Sequence, residues 1–283
     1  MNDDTPLCGC KPILCARCLR VVDGKLIELL RSLSEEEWNR PTIVPRWKVR
    51  DVAAHLLDTG LRKLSMVRDA AFVEPVRPQS AEELSALIQR LNAEGVAVYR
   101  RLSPPVLIEL MTMVCDQSAN FHETLDPFAP AVFAVSWAGE ATSLNWFDTA
   151  REFTERWHHQ QQIRLAVDRP GITTPELYHP VLDCFARGLP YALRNSTAKA
   201  GESIVLEIAG ECGGTWVVTR RATAWNFAGE MPAKIVCKVA LPQEIAWRVF
   251  TKGIDRDTVR RQVRIEGDLD LAANILEMTA IAG

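Results

Sequence analysis

No apolar run reaches the roughly 18 residues that a membrane-spanning helix needs, so the chain is not expected to cross a bilayer. Positive charge is not in excess either. The 33 Lys and Arg stand against 36 Asp and Glu, for a formal net charge of −3. That leaves no electrostatic case for a nucleic-acid partner, which usually demands a basic patch. The locally basic RRQVR, residues 260–264, reads as the solvated face of a strand. The opening MNDDTPLCGC lacks the basic start and apolar core of a secretory signal, which makes the cytoplasm the expected location. Internal repeats and low-complexity segments are absent. What is present is a soluble globular composition, 47% hydrophobic and 24% charged, over 283 residues. That length suits one large domain or two ordinary ones, with ample material for a packed core.

The eight cysteines fall into two sets. Cys115, Cys184, Cys212 and Cys237 are dispersed among apolar neighbours and read as buried thiols in a reducing compartment. Cys8, Cys10, Cys15 and Cys18 form C-x-C-x4-C-x2-C within eleven residues. Four thiolates at that density can hold a metal or act as a redox clip. The paired knuckles and long spacer of a zinc ribbon are missing, and an oxidation-prone, frayed terminus is the plain expectation.

Helical periodicity dominates the first two thirds. Residues 20–33 carry apolar positions at helical spacing, and Ser34 with Glu37 forms a capping box that opens the next turn. A long helix is expected over residues 47 to about 72, broken by EPVRPQ at 74–79. Ser80 with Glu83 opens a helix to about 102, and Pro104 and Pro105 start another to about 125. An irregular apolar connection, DPFAPAVFAVSWAGE, leads to a helix over 145–167 that DRPG stops, and a further helix covers 175–193. Four long amphipathic helices bury their apolar stripes most readily as a bundle. After the polar RNSTAKAGES come four β-rich runs, SIVLEIA, TWVVTRR, TAWNFAG and AKIVCKVA. A helix in LPQEIAWRVFTKG, a strand in VRIEG and a helix in DLDLAANILEMTAIA complete the chain. The expected organisation is a Cys-rich segment (1–18), a helical bundle (19–196) and a small α+β domain (197–283).

Glu155 and His159 stand four apart in REFTERWHHQQQIR, so both side chains project from one helix face. With His55, from WKVRDVAAHLLD on a second helix, they make two imidazoles and one carboxylate. That set suits zinc or a similar divalent ion, with a coordination position open to water or substrate. The plain alternative is a hydrogen-bonded core histidine beside an ordinary pair on a solvated helix. Asp58, one turn beyond His55, either orients an imidazole or faces solvent. His158 points about 100° away from His159, which gives it a supporting or surface role. Gln162 contacts the ligand or His159, or faces the rim. Trp47, Trp146 and Trp157 read as core or pocket-wall residues.

W-x-V-x-D-x-A-A-H-L (47–56) and SWAGE…NWFDTAREFTERWHHQQQIR resemble the mycothiol-dependent maleylpyruvate isomerase group of the DinB-like metalloenzyme superfamily. IEGDLDLAANIL, with AWRVFTKG before it, resembles the sterol-carrier-like domain that often follows the bundle there. The likeness covers nearly the whole chain apart from the first 18 residues. It implies an N-terminal DinB-like four-helix bundle followed by a small sterol-carrier-like α+β domain. It also implies a divalent metal, usually zinc, held by a His of the second helix and a Glu-x-x-x-His pair of the last, positions on which His55, Glu155 and His159 fall. The implied chemistry is S-transfer or isomerisation of a small electrophile with a low-molecular-weight thiol such as mycothiol. The family's substrate-binding arginine lies in the part of the chain that holds Arg248. That residue reads either as a clamp reaching a substrate carboxylate from the small domain or as a surface ion pair.

Three readings of function follow. The first is a metal-dependent, thiol-using transferase or isomerase acting on a small molecule. The second is a non-catalytic binder of an apolar ligand with a structural metal. The third is a redox or metal sensor built on the N-terminal cysteines.

Overall fold

The computed structural model describes residues 7–71 and 80–280. They divide into two compact units, one from residues 14–133 and 144–172, the other from 7–13, 134–143 and 173–280.

The first unit is helical. Helix α1 (Ala16–Ser32) buries Leu19, Val22, Leu26, Leu29 and Leu30, the spacing of one apolar stripe. The Ser34–Glu37 capping box forms in both directions, at 3.2 and 2.8 Å, and opens the single turn α2 (Glu35–Trp38). In α3 (Val49–Lys63), Asp51 accepts from the backbone N–H of Lys48 at 2.9 Å. The helix passes into a π-helical turn, Leu64–Arg68, and stops there instead of continuing to residue 72. Positive φ at Ala70 turns the chain away. The break expected at 74–79 lies outside the described residues. Ser80 caps α4 (Ala81–Tyr99), and Pro104 and Pro105 occupy the first positions of α5 (Pro104–Thr124). The last helix of the unit is α6 (Asn145–Ala166).

Helices α1, α3, α5 and α6 close a ring in which α1 and α3 each touch both α5 and α6. Helix α4 lies outside it, against α3. A Cβ on Gly95 of α4 would run into the Asp58 carboxyl group, so only glycine permits that approach. Trp38, Val52, Leu57, Met111, Val114 and Ile163 fill the interior.

The second unit contains α7 (Pro175–Ala186), α8 (Leu189–Ala192), β1 (Ser203–Ala209), β2 (Gly214–Arg220), β3 (Trp225–Phe227) and β4 (Ile235–Pro242). They are followed by α9 (Gln243–Phe250), α10 (Arg256–Gln262), β5 (Arg264–Gly267) and α11 (Leu269–Leu276). The sheet order is β3-β2-β1-β4-β5, antiparallel except for the parallel β1–β4 pair. Leu206 at its centre pairs with Trp216 on one side and Val239 on the other. The fold class is thus α followed by α+β, as expected.

Three local expectations change. Of RRQVR only Arg264 lies on the exposed face of a strand, at the start of β5, because residues up to Gln262 finish α10, a helix that Asp255 caps through the Thr258 N–H at 2.8 Å. RNSTAKAGES is no interdomain linker, since the Trp225 indole N–H ties Leu193 O and Ser196 Oγ to β3 at 2.9 and 3.0 Å. The helix expected over 175–193 is two helices, and both belong with the sheet rather than with the bundle. Tyr178 explains the shift of boundary from 196 to about 172. Its hydroxyl donates to Gln243 O at 2.6 Å and accepts from Trp247 N at 3.2 Å, which fastens α7 to α9. No helix among the described residues is long and apolar enough to cross a membrane.

Candidate metal centre

Helix α3 carries His55, and α6 carries Glu155 and His159. One donor atom from each lies within 4.8 Å of the other two. Among the described residues this is the one group of His, Cys, Asp or Glu side chains able to share an ion. His159 Nε2 is 3.4 Å from Glu155 Oε2. That is also the edge, about 3.4 Å, of a tetrahedron whose metal–ligand bonds are about 2.1 Å long.

The ring orientations favour the same use. His159 Nδ1 lies 2.8 Å from Gln162 Oε1, an acceptor, so Nδ1 carries the hydrogen and Nε2 turns its lone pair toward Glu155. His55 Nδ1 is buried without a hydrogen-bond partner. The His55 and His159 rings meet edge to face at 4.6 Å. Trp47 covers both, 5.1 Å from His55 and 6.5 Å from His159. A divalent ion fits this donor set, because it would engage lone pairs that the protein leaves unspent.

Electrostatics hold the groups in ligand form. Burial, then the His159 charge, depresses the His55 pKa well below that of a free imidazole, which keeps His55 neutral. Burial pushes the Glu155 carboxyl up. A protonated His159, through its hydrogen bond and charge, outweighs it together with His158 and Arg151 and brings the pKa to about 2, whereas the neutral His159 of the ligand form gives that hydrogen bond up.

Sequence reasoning missed the most unusual part of the unit. Helix α6 is buried on nearly every side, yet Asp148, Glu152, Arg156, Gln160 and Gln161 are among the buried residues. Lys63 pairs with Asp148 at 2.5 Å, and Arg151 bridges Asp148 and Glu152 at 3.1 and 3.3 Å. Arg156 reaches Glu152 at 3.2 Å, Asp23 through a short contact, and the Ser118 hydroxyl at 2.7 Å. Three cations thus face three carboxylates. Burial raises the Asp148 and Glu152 pKa values, but Lys63, Arg151 and Arg156 overcome it and set both at about 2. His122 donates or accepts at Thr149 Oγ1, 3.0 Å away, and burial lowers its pKa to about 4. The signal for this network was a helix with charges around its whole circumference and no apolar stripe.

The other candidates fall as follows. Asp58 neither orients His55 nor faces solvent, because Arg62 takes it at 2.8 Å beneath α4. His158 is buried, and its Nδ1–H donates to Thr154 O at 2.7 Å. Trp157 is core, with its indole N–H on Ile172 O at 3.0 Å. Trp146 stacks on Phe147 with ring centroids 5.1 Å apart. Arg248 sits on α9 of the second unit, where its Nε donates to Gly253 O at 2.9 Å. Among the described residues the N-terminal cysteines are not a group able to share an ion. Cys8 and Cys10 belong to the sheet unit, Cys15 and Cys18 to the helical one, and all four are free thiols.

Residues 19–164 match the model of the family described as the mycothiol maleylpyruvate isomerase N-terminal domain. Two crystal structures titled as the mycothiol-dependent maleylpyruvate isomerase, one of them a mutant, have a similar fold. They are 12% and 13% identical to this chain, with TM-scores of 0.55 and 0.52, and in both cases 90% of this chain and 93% of the other is covered. No curated protein matches the sequence.

Proposed function

Because this chain belongs to the mycothiol maleylpyruvate isomerase N-terminal domain family, we propose that it is a metal-dependent enzyme that uses a low-molecular-weight thiol, mycothiol or a close equivalent, to isomerise or S-substitute a small electrophile. The observation that carries this reading is the convergence of His55, Glu155 and His159 within 4.8 Å.

In this reading the three side chains hold a divalent ion, zinc by ligand preference. A bound divalent ion lowers the pKa of a thiol or water beside it, so that a nucleophile is available near neutral pH. The protein's own residues do the rest. Gln162 fixes the tautomer of His159 and so aims Nε2 inward. Trp47 restrains both imidazoles and screens them from water. Two neutral imidazoles and one carboxylate leave net positive charge on the ion, which favours an anionic sulfur or an enolate-like transition state. Arg248 is assigned the substrate carboxylate. Its Nε is committed to Gly253, and the described residues give its Nη atoms no partner.

The test is elemental analysis of wild type and Glu155→Ala, followed by assay with thiols and electrophiles. About one divalent ion per chain in wild type, lost in the variant, supports the reading. Wild type that stays metal-free after repletion refutes it.

A further inference from the structure

Residues 7–13, part of a segment expected to fray, are built into the sheet unit. Cys8 N donates to Thr215 O at 2.8 Å, and Leu7 packs against Val205, Val217 and Ala228. Arg187 holds Lys11 O and lies 5.6 Å from the centre of the Phe227 ring. This anchoring sets Cys8, which is partly exposed, with its Sγ 4.0 Å from His179 Nε2.

The imidazole is poised to serve the thiol. His179 Nδ1 lies 3.1 Å from both Cys212 O and Gly213 O. Carbonyl oxygens only accept, so Nδ1 carries the hydrogen and Nε2 presents its lone pair to Cys8. Trp216 stacks 6.1 Å from the imidazole and restrains its tilt. A Cβ on Gly214 would meet Cys8 Sγ and come close to both the Trp216 and His179 rings, so the glycine makes room for the pair. The charged groups nearby are Asp183, which accepts from the Trp216 indole at 2.7 Å, and Arg187, which pairs with Asp183 at 3.1 Å. The His179 pKa rises to about 9, chiefly through Cys8 and against the effect of burial. Burial pushes the thiols of Cys15 and Cys115 far up and that of Cys237 to about 11.

We propose that Cys8 and His179 form a nucleophilic thiol–imidazole pair that exchanges with low-molecular-weight disulfides. His179 Nε2 takes the Cys8 proton, and the thiolate attacks one sulfur of a disulfide R–S–S–R. The old S–S bond breaks as the Cys8–S–S–R bond forms, and R–S⁻ leaves with the proton from His179. One disulfide replaces another, so no outside oxidant is needed. Both residues belong to the sheet unit, and the proposal does not rest on a metal at His55, Glu155 and His159.

The experiment compares Cys8 with Cys10, an exposed thiol two residues away in the same molecule. The reduced full-length protein is treated with iodoacetamide for graded times, and both cysteines are read by peptide mass spectrometry. Between about pH 6 and 8 the Cys8 rate should stay nearly flat, while the rate at Cys10, whose thiol donates to Ala228 O, should climb steeply. At the low end Cys8 should lead by tenfold or more, and His179→Gln should bring it down to the Cys10 rate. With Cys10→Ser, oxidised glutathione should give a single adduct on Cys8. Rates that climb in parallel, a Cys8 rate indifferent to His179→Gln, or no adduct would each overturn the proposal. The pH profile needs only wild type, so it decides the matter even if a variant fails to fold.

Discussion

His159 gives its Nδ1 hydrogen to the side-chain oxygen of Gln162, 2.8 Å away on the same helix. The bond leaves Nε2 bare on the side where Glu155 stands. Gln162→Leu keeps the helix and removes the acceptor. Metal affinity should fall about tenfold, and Gln162→Glu should restore it. Competition against a chromophoric chelator reads both; full affinity in the leucine variant would remove Gln162 from the site.

Occupancy should also register in stability, because an ion that binds only the folded chain stabilises it by mass action. At about a hundred times the dissociation constant the gain is about 2.7 kcal/mol, visible as a higher Tm. A chelator should reverse it, and His55→Ala and His159→Ala should lack it. A rise of equal size in both variants would place the metal elsewhere.

Arg156 is the cation that reaches both Asp23 and Glu152. Arg156→Met should cost about 3–5 kcal/mol, since it leaves a buried carboxylate without its partner. Adding Asp23→Asn should recover part of that loss. Denaturant unfolding of the single and double variants decides, and strictly additive losses would argue against the pairing.

Asp148 and Glu152 have folded-state pKa values near 2, below their ordinary values of 3.8 and 4.5. Groups depressed in this way contribute stability that is complete above their unfolded-state values and is lost as pH falls toward the folded ones. The unfolding midpoint should therefore begin to fall below about pH 6.5, where buried His122 resists the proton its unfolded form takes up, and drop further between about 4.5 and 2 as these two carboxylates protonate. Lys63→Met should flatten that drop, because the Asp148 carboxylate then has less to lose. An unchanged slope would show that Lys63 does not hold Asp148 down.

Arg248→Ala should leave metal content intact and raise KM for carboxylate-bearing substrates, with little effect on uncharged ones. Equal kinetics on both kinds would return Arg248 to its backbone contact with Gly253.

Much of this architecture was written in periodicity and caps. Ser34 with Glu37, the prolines opening α5 and the run SIVLEIA all signal locally, and each forms where it was read. That Glu155 and His159 share a face was also legible, because the spacing of four on one helix is itself geometry; that His55 of α3 comes within 4.8 Å of them depends on the packing of two helices. The stop of α3 at a π-helical turn and the attachment of α7 to the sheet were not, since they depend on Ala70 φ and on the Tyr178 hydroxyl. The place of Asp58 was hidden for a like reason: its partner Arg62 is a near neighbour, but the close approach of α4 at Gly95 is not. The Cys8–His179 pair joins residues 171 positions apart and carries no local signal at all.

The encirclement of α6 by ion pairs has one more consequence. The helix that presents Glu155 and His159 is keyed to its neighbours by Asp148, Glu152 and Arg156. A slip of one residue would rotate it by about 100° and strand every charge in hydrocarbon. Its angular setting is therefore decided in the folding of the chain, before any ion arrives. A divalent ion taken up as proposed would find its ligands already set.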